Sequence, residues 1–232
     1  AQVEDALKFA GFSNAQHHPY DQKYYRQWMH ELPPMQHMKR GSSLDVHHHI
    51  LPLTARAHPP IELMLASAAP AADGWLTLCP EDMALHSITH LFFDGEWDHA
   101  LRDLWDIHQL LQHFARENVF WHKLLERAKV LQLLEPLMWA LPVIQQWFNT
   151  SMPEDVANEV QQFNASQMRQ FMHKTFIAGS TPDHASCRRR SHIWARRLLF
   201  LRGHYLRMPL TLLIPHLIRK SVRREEDARA EV

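Results

Sequence analysis

Apolar residues recur with a helical period over the last two thirds of the chain. Five segments between residues 80 and 163 repeat apolar positions every three or four residues, which is the spacing of one helix face. In the clearest segment, 98–116, one stripe carries Leu101, Leu104, Trp105, His108 and Leu111. Two further helices are expected at about 188–203 and 209–224. This part of the pattern predicts a helical body.

The first part of the chain follows a different pattern. Residues 3–10 fit a short helix that ends at Gly11, and residues 15–50 hold short apolar runs separated by turn signals. These runs predict three short strands, with 42–50 as one of them. Together the patterns predict an α+β fold, with a small sheet at the N-terminus and a larger, mostly α-helical body behind it.

We expect two domains from this change of pattern. Residues 1–58 form a partial α/β element, and residues 59–232 form a helical domain that closes with a basic helical pair. We find neither an internal repeat nor a low-complexity segment.

The charge is distributed unevenly along the chain. The formal net charge is zero, but residues 188–232 hold 12 Lys and Arg against 4 Asp and Glu, while the first 187 residues hold 13 against 21. A basic tail can contact an anionic membrane surface or an acidic partner. It can also pack on the acidic body as an ordinary helical hairpin. We favour packing, because the tail leucines need a partner and Pro209 and Pro215 would break a long surface helix.

The cysteines and the hydropathy bear on location. Two cysteines, Cys79 and Cys187, cannot build a disulfide framework, and reduced thiols are typical of the cytoplasm. The sequence has neither a signal-peptide pattern nor an apolar run long enough to span a membrane. We therefore expect a cytoplasmic protein, with peripheral membrane association through the tail as the open alternative.

Histidine spacing raises the question of a metal site. His86 and His90 lie one helical turn apart, a spacing that can bind zinc, but no glutamate stands between them and no third ligand follows at a recognised spacing. Packing with a polar contact near a cleft is the favoured interpretation. The sequence also contains neither a Gly-x-Ser-x-Gly elbow nor a Gly-rich phosphate loop.

The segment "GSSLDVH" (41–47) is the strongest candidate for chemistry. A Gly-Ser pair ahead of an acidic strand outlines a nucleotidyltransferase site, in which an Asp-x-Asp pair binds magnesium. Here the position two residues after Asp45 is His47, a poor ligand for a cation that prefers oxygen. Such sites also use a third carboxylate, on a strand after the Asp-x-Asp pair, to complete the set of metal ligands. Asp45 is then either this third carboxylate or a solvent-facing polar residue, and His47 lies on the same face of the strand.

Two longer stretches carry a resemblance to a known family. They are "HELPPMQHMKRGSSLDVHHHILP" and "LCPEDMALHSITHLFFDGEWDHALRDLWDIHQLL". Over roughly 3–148 the chain resembles the uncharacterised nucleotidyltransferase family of the DNA polymerase β superfamily. The resemblance implies magnesium-dependent transfer of a nucleotidyl group from an NTP to an unknown acceptor. It implies that Asp45 is the third metal carboxylate. His47, His86 and His90 are the candidate cofactor-binding residues: His47 either lines the same cleft as Asp45 or has a structural hydrogen-bonding role, and His86 and His90 make a polar contact near that cleft.

The chain departs from the family pattern in one respect. The family carries a Gly-containing turn and an Asp-x-Asp strand ahead of the helix that begins this sequence, and no other Asp-x-Asp occurs here. We therefore expect two of three metal carboxylates to be missing and the chain alone to be incomplete or inactive as an enzyme. The alternatives are a catalytically dead binding or regulatory module, and a basic-tailed helical adaptor for membrane or nucleic acid.

Overall fold

The computed structural model describes residues 2–14, 19–117, 119–215 and 217. The chain divides into two compact units, residues 1–55 and residues 56–232. The division expected after residue 58, as a boundary between folding domains, stays a prediction.

The first unit combines two helices with a small antiparallel sheet. Its elements are α1 (Gln2–Phe9), β1 (Phe12–Asn14), α2 (Pro19–Gln27), β2 (Met35–His37) and β3 (Ser43–Leu44), and the strand order is β1-β2-β3. The central strand fixes the register, because Met35 lies opposite both Asn14 and Leu44. Met35 is buried, so the middle of this sheet contributes to the core of the unit. The α+β fold class is confirmed.

A side chain stabilises the turn between β2 and β3. The Nδ1 atom of His37 accepts hydrogen bonds from the backbone N–H groups of Lys39 and Arg40, both at 3.1 Å. Gly41 ends the turn with φ +68°, a conformation that glycine adopts without strain. The turn leads directly into β3, and Asp45 is the first residue after that strand.

Two details of the first unit were predicted wrongly. Helix α2 was not expected, and the strand expected over 42–50 ends at Leu44. Beyond Leu44 the chain pairs with the segment that follows α2: Leu32 N–H donates to the Val46 carbonyl at 2.8 Å, and His48 N–H donates to the His30 carbonyl at 2.9 Å. His49 N–H reaches the same carbonyl, so the regular alternation of faces stops there.

The second unit is mainly helical, as expected. Its short hairpin pairs β4 (Ala69–Pro70) with β5 (Leu76–Thr77). Its helices are α3 (Ile61–Ala66), α4 (Pro80–Phe93), α5 (Ala100–Phe114), α6 (Phe120–Val130), α7 (Leu134–Phe148), α8 (Glu154–Phe163), α9 (Gln167–Ser180) and α10 (Arg190–Arg207).

Helix α4 is the centre of this unit and packs against α5, α6 and α7. Its Leu85, Ile88 and Phe92 side chains are buried. Asp82, near its first turn, is 0% exposed and accepts two hydrogen bonds of 2.7 Å from Arg127 on α6. A bidentate arginine satisfies both oxygens of this carboxylate, so α4 and α6 are held in one relative orientation.

Helix α10 packs mainly on α9 and also on α4. The Arg196 guanidinium donates to the Gly179 and Thr181 carbonyls at 3.1 and 2.6 Å, and Arg202 donates to the Phe92 carbonyl at 2.7 Å. A Cβ atom built on Gly203 would lie 2.6 Å from the backbone of Gly95, so the two backbones touch. The first helix of the basic tail therefore packs on the body of its own unit.

The second helix of the expected pair lies mostly outside the described residues. Residues 210–215 are helical, and 218–224 are not among those described. None of the helices in the described part of the chain combines the length and hydropathy that a membrane-spanning segment needs.

Candidate functional site

Five polar side chains of the first unit converge around the point where α2 and β3 end. Tyr25 lies on α2, His30 and Glu31 follow that helix, and Asp45 and His47 follow β3. The antiparallel pairing of the two segments places Glu31 directly opposite His47. Local backbone structure therefore brings together residues that are distant in sequence.

Three of these side chains present ligand atoms to one another. His47 Nε2 lies 3.2 Å from Glu31 Oε2, and the rings of His30 and His47 are 4.8 Å apart between centroids, at an interplanar angle of 67°. One ligand atom from each of His30, Glu31 and His47 lies within 4.8 Å of the other two. Within the described residues, this is the group of three or more His, Cys, Asp or Glu that could hold a metal ion.

The electrostatics of the site favour a cation. Burial raises the pKa of Glu31; His47 opposes this rise and the nearby Asp45 adds to it. The pKa of Tyr25 is also raised, first by burial and then by Glu31, Asp21 and Asp45. The carboxylates of Glu31 and Asp45 therefore repel each other here, and a bound cation would relieve this repulsion.

Two of the predicted site residues lie together in this cluster. Asp45 is exposed directly after β3, and His47 is in contact with Glu31. His86 and His90 belong to the second unit, where they lie on α4 with ring centroids 6.5 Å apart in a stacked arrangement. The assignment of all four residues to a catalytic or nucleotide-binding role stays a prediction.

Sequence reasoning missed Tyr25, His30 and Glu31 as members of the site. The local signal in the sequence is the His30-Glu31 pair ahead of two prolines, which lies within the first of the two stretches that carry the family resemblance. Their role depends on the register between residues 30–32 and 46–48, which short apolar runs do not specify.

The donor atoms discriminate between kinds of metal. Magnesium prefers oxygen ligands and is commonly held by one or two carboxylates together with substrate phosphates. The exposed carboxylate of Asp45 fits that use, whereas the imidazoles of His30 and His47 do not. Nitrogen donors beside a carboxylate are typical of zinc and related transition metals.

Comparison with known proteins bears on the kind of function. A family model described as an uncharacterised nucleotidyltransferase matches residues 1–149, which include the whole first unit and the second unit through α7. The resemblance expected over roughly 3–148 is thereby confirmed. No curated protein and no solved structure matches the chain.

Proposed function

Because the chain belongs to the uncharacterised nucleotidyltransferase family, we propose that it acts in magnesium-dependent transfer of a nucleotidyl group from an NTP to an acceptor. The observation that carries this proposal is the exposed carboxylate of Asp45. It follows a sheet strand and lies near a second carboxylate, Glu31, inside the matched range.

Each side chain has a defined task in this proposal. Asp45 supplies one oxygen ligand to the magnesium that accompanies the nucleotide, and the phosphates supply others. Magnesium, when bound, polarises the α-phosphate for attack by the acceptor oxygen as pyrophosphate leaves.

The strength of binding follows from the number of carboxylates. A single exposed aspartate with one half-buried carboxylate beside it holds a hydrated cation poorly, since magnesium gives up its water reluctantly. We therefore expect the chain alone to bind Mg-ATP weakly.

An NMR titration of the full chain with Mg-ATP tests the proposal, because chemical shifts detect weak binding. We expect the amide signals of residues 43–47 to shift with Mg-ATP. The Asp45→Asn variant should lose these shifts, since an amide is a much weaker magnesium ligand than a carboxylate.

Asp73→Asn is the matched control. Asp73 is exposed in the second unit and has φ +60°, a conformation that asparagine also tolerates. This variant should titrate like the wild type. Equal shifts in wild type and Asp45→Asn, or none around residue 45 in the wild type, would contradict the role given to Asp45.

A further inference from the structure

We propose that His30, Glu31 and His47 form a binding site for a zinc-class divalent cation. Two imidazole nitrogens and one carboxylate oxygen are a donor set found in three-ligand zinc sites, where a fourth position stays open. The proposal concerns a different cation from the one assigned to Asp45, and it does not depend on the proposed function. In this assignment, His47 binds the cation in place of a direct contact with the nucleotide.

The backbone holds the ligands in place before any cation arrives. Hydrogen bonds from Leu32 N–H to the Val46 carbonyl and from His48 N–H to the His30 carbonyl lie on either side of the Glu31–His47 bridge. The two ligand-bearing segments are thus joined at both ends of the site. A site on paired segments loses less conformational entropy on binding than one on free loops.

The spacing of the ligand atoms is close to what zinc requires. Zinc binds nitrogen and oxygen at about 2.1 Å, so tetrahedral ligand atoms lie roughly 3.4 Å apart. His47 Nε2 and Glu31 Oε2 are already 3.2 Å apart, and every pair in the group lies within 4.8 Å. Closing the remaining gap, from at most 4.8 Å to roughly 3.4 Å, takes small side-chain rotations that move the ligand atoms by no more than about 1.4 Å in total.

Exposure and charge fit a site with one open position. The Glu31 side chain is 19% exposed and that of His47 is 43% exposed, so the group is partly buried and still reachable from solvent. Glu31 is the anionic ligand of the group, and the Asp45 carboxylate adds negative charge beside it. This field attracts a divalent cation, and a water completes its coordination.

A simple ion pair between Glu31 and His47 is the competing explanation. An ion pair needs only Glu31 and His47, so in that case His30 would not affect the affinity for a metal ion. A cation site needs all three residues and binds one equivalent of metal. Removal of His30 therefore separates the two explanations.

The test uses the full chain after treatment with a chelator. Zinc chloride is titrated by calorimetry, and cobalt(II) is titrated by visible absorption, which reports a low-coordinate site with nitrogen and oxygen ligands. We expect one equivalent of either metal to bind. His30→Ala, Glu31→Gln and His47→Ala should each weaken zinc binding by at least about tenfold, and excess magnesium should not compete.

His49→Ala is the matched control, because His49 lies two residues from His47 and contacts His48 instead. It should bind zinc like the wild type. Circular dichroism verifies folding, and Glu31→Gln keeps the size and hydrogen-bonding capacity of the native residue. Wild-type binding no tighter than that of the three variants, or an equal loss in His49→Ala, would overturn the proposal.

Discussion

Among individual residues, Glu4 and Arg26 form the ion pair that joins α1 to α2. The guanidinium donates two hydrogen bonds of 2.8 and 2.7 Å to the carboxylate, whose side chain is only 9% exposed. Arg26, with a smaller contribution from Lys8, lowers the pKa of Glu4 to about 2. Because the folded pKa lies below the ordinary value, the pair stabilises the fold above about pH 4.5, and this stabilisation is lost as the pH falls toward 2.

We expect Arg26→Ala to lower the free energy of unfolding by about 1–2 kcal/mol at neutral pH, since Arg26 is partly exposed and water screens the pair. The difference from wild type should shrink as the pH falls from about 4.5 to 2, where Glu4 becomes protonated in both proteins. Urea unfolding at several pH values measures this. Arg40→Ala, an exposed arginine of the same unit, should show little change, and a pH-independent loss in Arg26→Ala would contradict the argument.

At the scale of elements, the sequence predicted the helices far better than the sheet. The start of α4 at Pro80 and the path of α5 follow from a proline at a first turn and from a strong apolar stripe. Helix α2 was missed because PYDQKYYRQ is polar and rich in tyrosine, with no buried face to give a period. Within the cluster, Asp45 and His47 can be picked out from the sequence, whereas Glu31 joins them only through the pairing of residues 30–32 with 46–48. The functional role of Asp45 and His47 stays a prediction.

Helix α10 raises the question of membrane contact. Arg196, Arg202 and Arg207 are engaged with carbonyls or with an aspartate of the same unit, although Trp194 and Leu201 remain exposed. We therefore expect neutral and anionic vesicles to pellet equal amounts of protein. Salt-sensitive pelleting by anionic vesicles alone would contradict this. A variant in which the four basic residues of 219–224 are changed to glutamine then locates the binding. If this variant no longer pellets with anionic vesicles, the membrane contact belongs to residues 219–224, which lie outside the described part of the chain.

On the scale of the whole molecule, the second unit carries most of the buried apolar side chains. Leu85, Leu104, Leu124 and Phe176 are among those fully buried there. We expect residues 56–232, produced alone, to unfold cooperatively on heating, because this core is large enough to stabilise a domain. Circular dichroism measures this, with the full chain as the reference. A gradual, non-cooperative transition would contradict the division into two folding domains.

The contact between Gly95 and Gly203 has a consequence for the movement of α10. The two backbones meet so closely that the position of α10 along its own axis is fixed. Advancing it by one residue would bring Arg202 or His204 against Gly95, and neither side chain fits where a single Cβ would lie 2.6 Å from backbone atoms. The hydrogen bond from Arg202 to the Phe92 carbonyl fixes the same setting. A change elsewhere in this unit is therefore expected to leave the axial position of α10 unchanged, because sliding the helix by one residue would force a side chain into the Gly95 backbone.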